Sequence, residues 1–403
     1  MSEREFDVVI LGAGPAGEVI AGRLGKAGLE VALVEQHLVG GECSFYACMP
    51  SKALLRPGEL LAEVRRIPGV REAAGGELDV EAVLARRDEI IHDLDDSGME
   101  PWLDDRGVTL VRESGRLDGE RRVQAGDETL IARKAVVVAT GTGALVPPID
   151  GLREARPWTN REVTTAKQVP ERLVILGGGV VGVEMAQAYR YLGAQVTLVE
   201  AADRLIAREE PFASEQVEAA LREQGVDVHI GVKAVAVAAR AASGEVEVEL
   251  ETGGPVRGDQ LLVAIGRRPN TSEIGLDTVG LEPGKPIEVD DAMRANDWLY
   301  AIGDVNGRAL LTHMGKYQAR VAADQILGKD TRATEDGVRS PRIIFTDPQV
   351  AAVGYTVATA TEARLDVRAV DVPTQGNAGA SFYGSDAAAG TSRLVVDEAR
   401  GVV

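Results

Sequence analysis

The chain contains few cysteines and histidines, and this scarcity excludes several classes of protein. Two cysteines and four histidines are present among 403 residues. A single pair of cysteines excludes the disulfide framework of small secreted domains. The histidines are scattered, at His37, His92, His229 and His313. Four thiolate or imidazole ligands at zinc-site spacing are therefore lacking, and no metal site is predicted.

Positive charge and long apolar runs are also scarce. The chain carries 44 Lys and Arg against 63 Asp and Glu, a net charge of −19, and such an acidic chain repels nucleic-acid phosphates. Residues 1–5 show no basic segment of a signal peptide, and the apolar run at 8–11 is too short to cross a membrane. These features predict a cytoplasmic protein with neither nucleic acid nor membrane as a partner.

What the chain does contain is an internal repeat with a constant offset of 165 residues. Residues 7–35 and 172–200 each read as an apolar strand, a G-x-G-x-x-G turn, a helix closed by a glycine, and a second apolar strand ending in a glutamate. The residues of the two turns and the two strand-terminal acids are Gly12, Gly14, Gly17, Glu35, Gly177, Gly179, Gly182 and Glu200. Each acid follows its last glycine by 18 residues, which is typical of dinucleotide-binding units.

The residue types of the repeat suit a bound dinucleotide. The first glycine allows a tight turn, the second lets the backbone approach a pyrophosphate, and the third lets helix and strand pack closely. The helix N-terminus faces the phosphates, and the glutamate is placed to accept hydrogen bonds from ribose hydroxyls. We therefore predict two bound dinucleotides; two glycine-rich turns without a ligand are the alternative.

Both cysteines lie just beyond the first repeat, in the segment GGECSFYACMPSK at 40–52. Cys43 and Cys48 are five positions apart, and two neighbouring thiols beside a redox-cofactor site indicate a disulfide that is made and broken during turnover. The alternative is a pair of incidental buried cysteines, because free cysteine is among the most buried residue types.

Periodicity and turn residues divide the rest of the chain. Helices are predicted at 51–66, 79–96 and 312–328, antiparallel meanders at 107–138 and 226–252, and strands and turns from Pro341 onward. Residues 393–396 read as a strand and 397–401 as a turn, so that Val402 and Val403 begin a returning strand. Because that strand lacks its hairpin partners, we expect the natural gene product to continue beyond Val403.

The order of motifs resembles that of the class I pyridine nucleotide-disulfide oxidoreductases, which include dihydrolipoamide dehydrogenase, glutathione and mycothione reductases, and mercuric reductase. The resemblance covers essentially the whole chain. Its seven ordered motifs are the fingerprint at 12–17, the cysteine segment at 40–52, ATG at 139–141, the fingerprint at 177–182, GRRPN at 266–270, Gly303-Asp304, and FTDP at 345–348. It implies a homodimeric enzyme that passes electrons between a nicotinamide, FAD, the Cys43–Cys48 disulfide and a small disulfide or dithiol.

The implied fold class is α/β, with two Rossmann-like dinucleotide-binding domains, antiparallel meanders and the start of an α+β dimerisation domain. The implied domains are the first part of the FAD-binding domain at 1–150, an NAD(P)-binding domain at 151–270, a return to the FAD and central domain at 271–338, and an interface domain at 339–403.

The resemblance also implies roles for single residues. Cys48 is the flavin-proximal thiol that forms the charge-transfer thiolate, and Cys43 is the interchange thiol that attacks the substrate. Lys52 lies beside the flavin's reactive nitrogen, with Glu184 as its ionic partner. Besides the repeat residues, the implied cofactor-binding residues are Lys52, Thr140, Gly141, Gly266, Gly303, Asp304, Thr312 and His313. Among these, Asp304 joins Glu35 in holding FAD hydroxyls, and Thr312 and His313 lie along the flavin pyrimidine edge.

The spacing of the cysteines constrains the backbone between them. Positions i and i+5 of an ideal helix point about 140° apart, whereas a disulfide needs Cα atoms within roughly 4.4–6.8 Å. The first helical turn must therefore be distorted, and Gly40 and Gly41 give it that freedom. A thiol near a helix N-terminus and a lysine has a depressed pKa, which suits a sulfur that donates electrons.

Two departures from the family pattern bear on the chemistry. Phe45 and Tyr46 replace small and polar residues between the cysteines, and either pack the helix or reshape the thiol entrance. The family's acid/base, a His-x4-Glu pair of the partner subunit, would lie beyond Val403. His37 and Glu42 share that spacing, but they lie in the loop before Cys43 and are interpreted as a decoy.

The substrate and the nicotinamide are less constrained. A dihydrolipoamide dehydrogenase-like reaction is predicted; a glutathione-, mycothione- or mercuric-reductase-like enzyme, a flavin transhydrogenase and a docking subunit of a multienzyme complex are the alternatives.

Glu200 predicts NADH rather than NADPH, because a carboxylate repels a 2′-phosphate. Arg204 and Arg208 are the competing signal, since they reach a phosphate if their loop folds back.

Overall fold

The computed structural model describes residues 2–239, 244–376, 378–383 and 390–403. Within these ranges the α-helices are α1 (Pro15–Lys26), α2 (Gly41–Phe45), α3 (Cys48–Arg66), α4 (Val80–Ile90), α5 (Glu100–Asp104), α6 (Asn160–Thr165), α7 (Val180–Tyr191), α8 (Pro211–Glu223), α9 (Thr312–Ile326) and α10 (Val357–Glu362).

The strands of the first half are β1 (Ser2–Leu11), β2 (Val31–Val34), β3 (Val108–Val111), β4 (Gly115–Leu117), β5 (Arg122–Ala125), β6 (Glu128–Val138), β7 (Thr142–Ala144), β8 (Arg172–Leu176), β9 (Gln195–Glu200) and β10 (Asp227–Ile230). The strands of the second half are β11 (Ala234–Ala239), β12 (Val246–Leu250), β13 (Val256–Gly258), β14 (Gln260–Val263), β15 (Arg267–Pro269), β16 (Leu299–Ala301), β17 (Arg342–Ile344), β18 (Val350–Ala352), β19 (Val367–Pro373) and β20 (Thr391–Asp397).

The chain divides into two compact units, each built from three segments. The first unit comprises Met1–Cys48, Ile91–Gly143 and Arg267–Ser340; the second comprises Met49–Ile90, Ala144–Gly266 and Pro341–Val403.

The first unit is built on a parallel sheet in the order β3-β2-β1-β6, with β16 pairing β6. Side chains of β1 alternate between two hydrophobic clusters. Ile10 packs in one cluster with Ile20 of α1 and Ala319 of α9, whereas Val9 packs in the other with Leu117. Because both faces of the sheet are buried there, residues 8–11 of β1 form a continuous apolar run.

The second unit repeats this arrangement with the sheet order β10-β9-β8-β14. Ile175 of β8 packs in one cluster with Val183 of α7, and Val174 packs in another with Val248 of the meander. The predicted α/β class, with two dinucleotide-binding units and antiparallel meanders, is confirmed. No helix of the described residues is both long and apolar enough to cross a bilayer.

The predicted meanders begin one strand too early. β3 and β10 pair in parallel with β2 and β9, and the antiparallel meanders are β4-β5-β6 and β11-β12-β13. Both edge strands follow a helix, and such a crossover returns the chain in the parallel direction. Alternating apolar residues carry no information on strand direction, so the sequence pattern could not show this.

The predicted helix at 79–96 is also too long, since α4 ends at Ile90. His92, Asp93 and Leu94 adopt φ values of 51°, 50° and 64°, which a right-handed helix cannot contain. Asp96 then accepts the Val39 N–H at 2.6 Å. This long-range bond holds the 92–96 segment away from the helical path that its composition favoured.

The C-terminal region matches the sequence prediction except at α10, a helix in a region where strands and turns were predicted. The helix predicted at 312–328 is α9, and the strand predicted at 393–396 lies within β20, which pairs antiparallel with β19. Val402 bridges Asp397 across the predicted turn.

Candidate active site

In the first G-x-G-x-x-G turn, two glycines are closely packed and one faces open space. A Cβ added at Gly12 would lie 2.5 Å from the Ala139 carbonyl oxygen, and one at Gly17 would lie 2.0 Å from the Gly12 oxygen. At Gly14 an added Cβ meets no atom of the described residues within 4 Å. The outer glycines therefore serve close packing, and the middle glycine leaves the backbone approachable, as a bound pyrophosphate requires.

The second turn has the same steric environment. A Cβ at Gly177 would lie 2.4 Å from the Ala264 oxygen, and one at Gly182 would lie 1.8 Å from the Gly177 oxygen. At Gly179 the space within 4 Å is open among the described residues. Both turns thus fit a dinucleotide phosphate at the start of the following helix.

The two strand-terminal acids are fixed by equivalent hydrogen bonds. Glu35 accepts the N–H of Ala13 at 2.7 Å and that of His37 at 2.8 Å. Glu200 accepts the N–H of Gly178 at 2.5 Å and that of Ala202 at 2.6 Å. A carboxylate has about four acceptor positions. The backbone bonds orient each acid, and its other lone pairs can accept ribose hydroxyls.

The cysteine segment is attached to the first turn. The Gly40 N–H donates to the Ala13 carbonyl oxygen at 2.8 Å, and a Cβ at Gly41 would lie 2.8 Å from the Gly14 Cα. Gly40 and Gly41 have φ values of 119° and 57°, which glycine adopts readily. These two glycine conformations let the chain bend so that the cysteine segment packs against the first G-x-G-x-x-G turn.

The predicted distortion between the cysteines is confirmed, and it lies between two helices. Cys43 is in α2, which ends at Phe45; Tyr46 has φ −134° and ψ 1°, and Cys48 begins α3. Phe45 is buried, with its ring 6.4 Å from that of half-buried Tyr46. For Phe45 this geometry favours the packing interpretation.

The two cysteines are thiols in contact, with no disulfide between them. The hydrogen bond with Cys48, burial, and the negative charge of Cys48 raise the pKa of the Cys43 thiol, while Thr312 and Lys316 lower it in part. Thr312, the first residue of α9, has its Oγ1 3.3 Å from Cys48 Sγ. These contacts favour the protonated form of Cys43, and the thiolate role of Cys48 stays a prediction.

Asp304 lies in a short turn that begins at Gly303, whose N–H donates to Gln318 Oε1 at 2.8 Å. Burial raises the pKa of Asp304, which accepts the Thr142 hydroxyl at 3.0 Å. His313, next to Thr312, is exposed.

The ATG turn and the GRRPN motif are joined by hydrogen bonds within the first unit. Thr140 Oγ1 donates to the Asn270 carbonyl oxygen at 2.9 Å, and the Asn270 N–H donates to the Gly141 oxygen at 3.0 Å. In the second unit the exposed Gly266 accepts the Leu145 N–H at 3.0 Å.

Lys52 and Glu184 form the predicted ion pair, within the second unit. Lys52 Nζ lies 2.9 Å from Glu184 Oε2, and Glu184 Oε1 accepts the Phe345 N–H at 3.0 Å. Lys52 Nζ also lies 4.3 Å from the centroid of the Phe345 ring, a cation–π contact.

Phe345, Thr142 and Arg267 were not predicted as site residues, although Phe345 and Arg267 belong to recognised motifs. Glu42 was interpreted as part of a decoy pair with His37. In the structure Glu42 forms an ion pair with Arg267 at 3.5 Å, and the His37 carbonyl accepts from Arg112. The described residues contain no cluster of three or more His, Cys, Asp or Glu suited to a metal ion.

Comparison with known proteins gives consistent matches over the whole chain. Sequence models of the pyridine nucleotide-disulphide oxidoreductases match residues 6–325, and of their dimerisation domain residues 340–403. A mercuric reductase of Lysinibacillus sphaericus is 30% identical over 93% of this chain and 69% of that protein. A dihydrolipoyl dehydrogenase of Chlamydia muridarum is 32% identical over 91% of this chain and 80% of that protein.

Two solved structures are similar as well. The HOCl-induced flavoprotein disulfide reductase RclA of Escherichia coli superposes with a TM-score of 0.85 at 26% identity, covering 98% of this chain and 87% of that chain. LpdA of Mycobacterium tuberculosis superposes with a TM-score of 0.84 at 27% identity, covering 100% of this chain and 88% of that chain.

Proposed function

Because the chain belongs to the pyridine nucleotide-disulphide oxidoreductase family, we propose that it passes electrons between NAD(P)H and a small disulfide through Cys43 and Cys48. The family is FAD- and NAD(P)-dependent. The observation that carries the proposal is the contact between the two thiols, in a segment whose Gly40 N–H is bonded to the first dinucleotide turn at Ala13.

The residues present fit both cofactors. The Gly14 turn, Glu35 and Asp304 would hold FAD, with Thr312 and His313 along the flavin edge. FAD, when bound, would relay the electron pair between the nicotinamide and the sulfur atoms. The Gly179 turn and Glu200 would hold the nicotinamide cofactor, and Lys52, fixed by Glu184, would supply a positive charge. The remaining cofactor residues of the prediction, Thr140, Gly141, Gly266 and Gly303, shape the turns around these sites.

In the proposed thiol chemistry, Cys43 is the protonated member of the pair and Cys48 is the thiolate. Cys43, once its proton has passed to the Cys48 thiolate, attacks the substrate disulfide; a mixed disulfide forms and one substrate thiolate leaves. The leaving thiolate takes the proton from Cys48. Cys48, as a thiolate again, then attacks the Cys43 sulfur and releases the second thiolate, so that one substrate disulfide is reduced as one protein disulfide forms. A dithiol that works in this way requires a reducing compartment, which supports a cytoplasmic location.

The nicotinamide is proposed to be NADH. Glu200 is fixed by two backbone N–H groups at the end of β9, where its charge repels a 2′-phosphate. Arg204, the competing signal, donates instead to the carbonyl oxygens of Glu209 at 2.9 Å and Ala207 at 2.6 Å. These bonds support the carboxylate as the group that decides the preference.

We also propose a homodimer in which residues 339–403 form the interface domain, the other domain limits being those of the sequence prediction. Several apolar residues are largely exposed in this region. Their exposed fractions are 69% for Val353, 54% for Val372, 79% for Phe382 and 57% for Leu394. Such a concentration of exposed apolar groups is typical of an interface. Sedimentation of the natural full-length protein at micromolar concentration is expected to show a dimer, and a monomer would contradict this proposal.

The substrate is proposed to be a lipoamide-like dithiol or disulfide, and reduction of mercuric ion is the second candidate because several relatives carry that name. The test is a steady-state panel of lipoamide, glutathione disulfide, mycothiol disulfide and Hg²⁺ with NADH and NADPH. A rate with lipoamide well above the others is expected. Turnover with Hg²⁺ alone would select the second candidate, and no turnover with any acceptor would contradict the proposed function. Assays of transfer between nicotinamides, and of binding to an acyltransferase complex, distinguish the transhydrogenase and docking alternatives.

A further inference from the structure

Arg267, the first residue of β15, contacts groups from two separate elements of the first unit. Its Nε donates to Thr142 Oγ1 at 2.6 Å and its Nη2 donates to the Thr142 carbonyl oxygen at 2.7 Å. Its guanidinium also lies 3.5 Å from a carboxylate oxygen of Glu42, the residue before Cys43. The arginine therefore joins β7 to the cysteine helix α2.

Thr142 extends this connection to Asp304. The Thr142 hydroxyl accepts from Arg267 and donates its own hydrogen to Asp304 Oδ2 at 3.0 Å. Because one hydroxyl hydrogen is available, accepting from the arginine orients it toward the carboxylate. Thr142 is buried, which makes the loss of this link costly.

The charges around Asp304 oppose one another. Burial and the carboxylate of Glu42 favour its protonated form, whereas the Thr142 hydroxyl and the charge of Arg267 favour its ionised form. These groups face Asp304 from β7, β15 and α2. Arg267 supplies the positive charge that allows Glu42 and Asp304 to be ionised in the same region.

We propose that Arg267 is a positioning residue for the flavin site: it holds Asp304 as a carboxylate through Thr142 and neutralises Glu42 beside Cys43. This inference rests on the proposed function, in which Asp304 accepts hydrogen bonds from FAD hydroxyls. An ionised carboxylate is a stronger acceptor than a protonated one. FAD binding and the position of the cysteine helix are thereby linked through one guanidinium.

The test measures FAD release by the rise in flavin fluorescence on dilution of the holoprotein, at pH 6 and pH 9. Arg267→Met should weaken FAD binding about tenfold or more at pH 6. The loss should be smaller at pH 9, because a higher pH favours the ionised form of Asp304 even without the charge of Arg267. Arg268→Met, at the exposed next residue, is the matched control and should bind FAD as the unmodified protein does.

A second substitution separates positioning from a general structural effect. Glu42→Gln in the Arg267→Met background removes the repelling charge and should restore FAD binding about threefold or more at pH 6. Arg267→Lys, which keeps the charge, should lose less FAD than Arg267→Met. Should Arg267→Met fail to fold, Arg267→Lys and Thr142→Val carry the same pH comparison.

The outcomes are distinguishable from failure of the proposed function. An unmodified protein that binds no FAD would overturn the proposed function itself. If the unmodified protein is yellow, its FAD binding can be compared with that of Arg267→Met. FAD binding by Arg267→Met as tight as that of the unmodified protein, at both pH values, would overturn the role of Arg267. Equal loss at both pH values without rescue by Glu42→Gln would make Arg267 a purely structural residue, and would overturn the proposal as well.

Discussion

Glu184 connects Lys52 to the segment at 345–348: one carboxylate oxygen lies 2.9 Å from Lys52 Nζ and the other accepts the Phe345 N–H at 3.0 Å. The side chain of Glu184 is 4% exposed and that of Lys52 is 35% exposed. A buried carboxylate and an aromatic face thus hold the ammonium group from two sides. The lysine is fixed by residues of α7 and of the segment that follows β17.

Removing Lys52 alone should be more damaging than removing both charges. Lys52→Met leaves the Glu184 carboxylate buried and unneutralised, and we expect a loss of about 2 kcal/mol, reduced from the full cost of a broken buried pair because the lysine is partly exposed. Lys52→Met with Glu184→Gln should be more stable than Lys52→Met. Thermal unfolding checks this prediction. The control is Arg222→Met, which breaks a surface ion pair with Glu218 and should lower the free energy of unfolding by less than about 1 kcal/mol. Identical melting of Lys52→Met and unmodified protein would contradict the prediction.

Substitution of the middle glycine of each turn should weaken cofactor binding, whereas substitution of the third glycine should lower the stability of the protein. Gly14→Ala adds a methyl group to open space and should leave the melting temperature of the FAD-free protein unchanged, while weakening FAD binding about tenfold or more. Gly17→Ala places a methyl group 2.0 Å from the Gly12 oxygen and should destabilise the protein by about 3 kcal/mol. Gly179→Ala and Gly182→Ala should repeat the contrast for NADH. Similar stability losses at Gly14 and Gly17 would be the contrary result.

The two cysteines should have separate roles. Two-electron reduction of the unmodified protein should produce a long-wavelength thiolate–flavin absorption. Cys48→Ser should abolish this absorption. Cys43→Ser should keep the band but lose disulfide turnover, because the thiol that attacks the substrate is gone. Spectra and steady-state rates test both, and single variants that reduce a disulfide at the parental rate would rule out the dithiol mechanism.

NADH should exceed NADPH in kcat/KM by about tenfold or more, because Glu200 repels a 2′-phosphate. Glu200→Gln keeps the size of the side chain and removes its charge, and should narrow this ratio. Glu35→Gln, in the equivalent position of the other repeat, is the matched control: with FAD supplied in excess it should leave the ratio unchanged. Equal or higher kcat/KM with NADPH would transfer the role to Arg204 and Arg208.

Glu18 should make stability depend on pH. Burial raises the pKa of this carboxyl from 4.5 to about 7, with Lys316 lowering it in part. Between these values the folded protein binds more protons than the unfolded chain, so its stability falls as pH rises from about 4.5 to 7. Glu18→Gln should therefore stabilise the protein at pH 8 by on the order of 2 kcal/mol, and by less at pH 5. Melting temperatures at both pH values check this against Glu215→Gln, at an exposed position of α8; an equal shift at both would contradict it.

Features with a local sequence signal could be predicted. The glycines and acids of the two repeats stand at fixed separations, and the structure gives them equivalent bonds, such as Glu35 with Ala13 and Glu200 with Gly178. The break between Cys43 and Cys48 could also be predicted, because an ideal helix cannot bring positions i and i+5 together.

Features that depend on distant partners could not be predicted. Alternation in 107–138 does not show that β3 pairs in parallel with β2, because strand direction is set by the helix that precedes it. The helix predicted at 79–96 was cut short for a similar reason. Asp96 bonds to Val39, which is 57 positions away, and no periodic pattern encodes such a contact.

The sequence by itself determined the family and the positions of the two glycine turns and of the cysteine pair, because each rests on residue types at short, fixed spacing. Only the tertiary structure decided which side chains support them. Arg267 acts on Asp304 through Thr142, and these residues come from separate parts of the chain. Their partnership depends on distance and on burial, which strengthens charge interactions, and neither property is written in the spacing of residues along the chain.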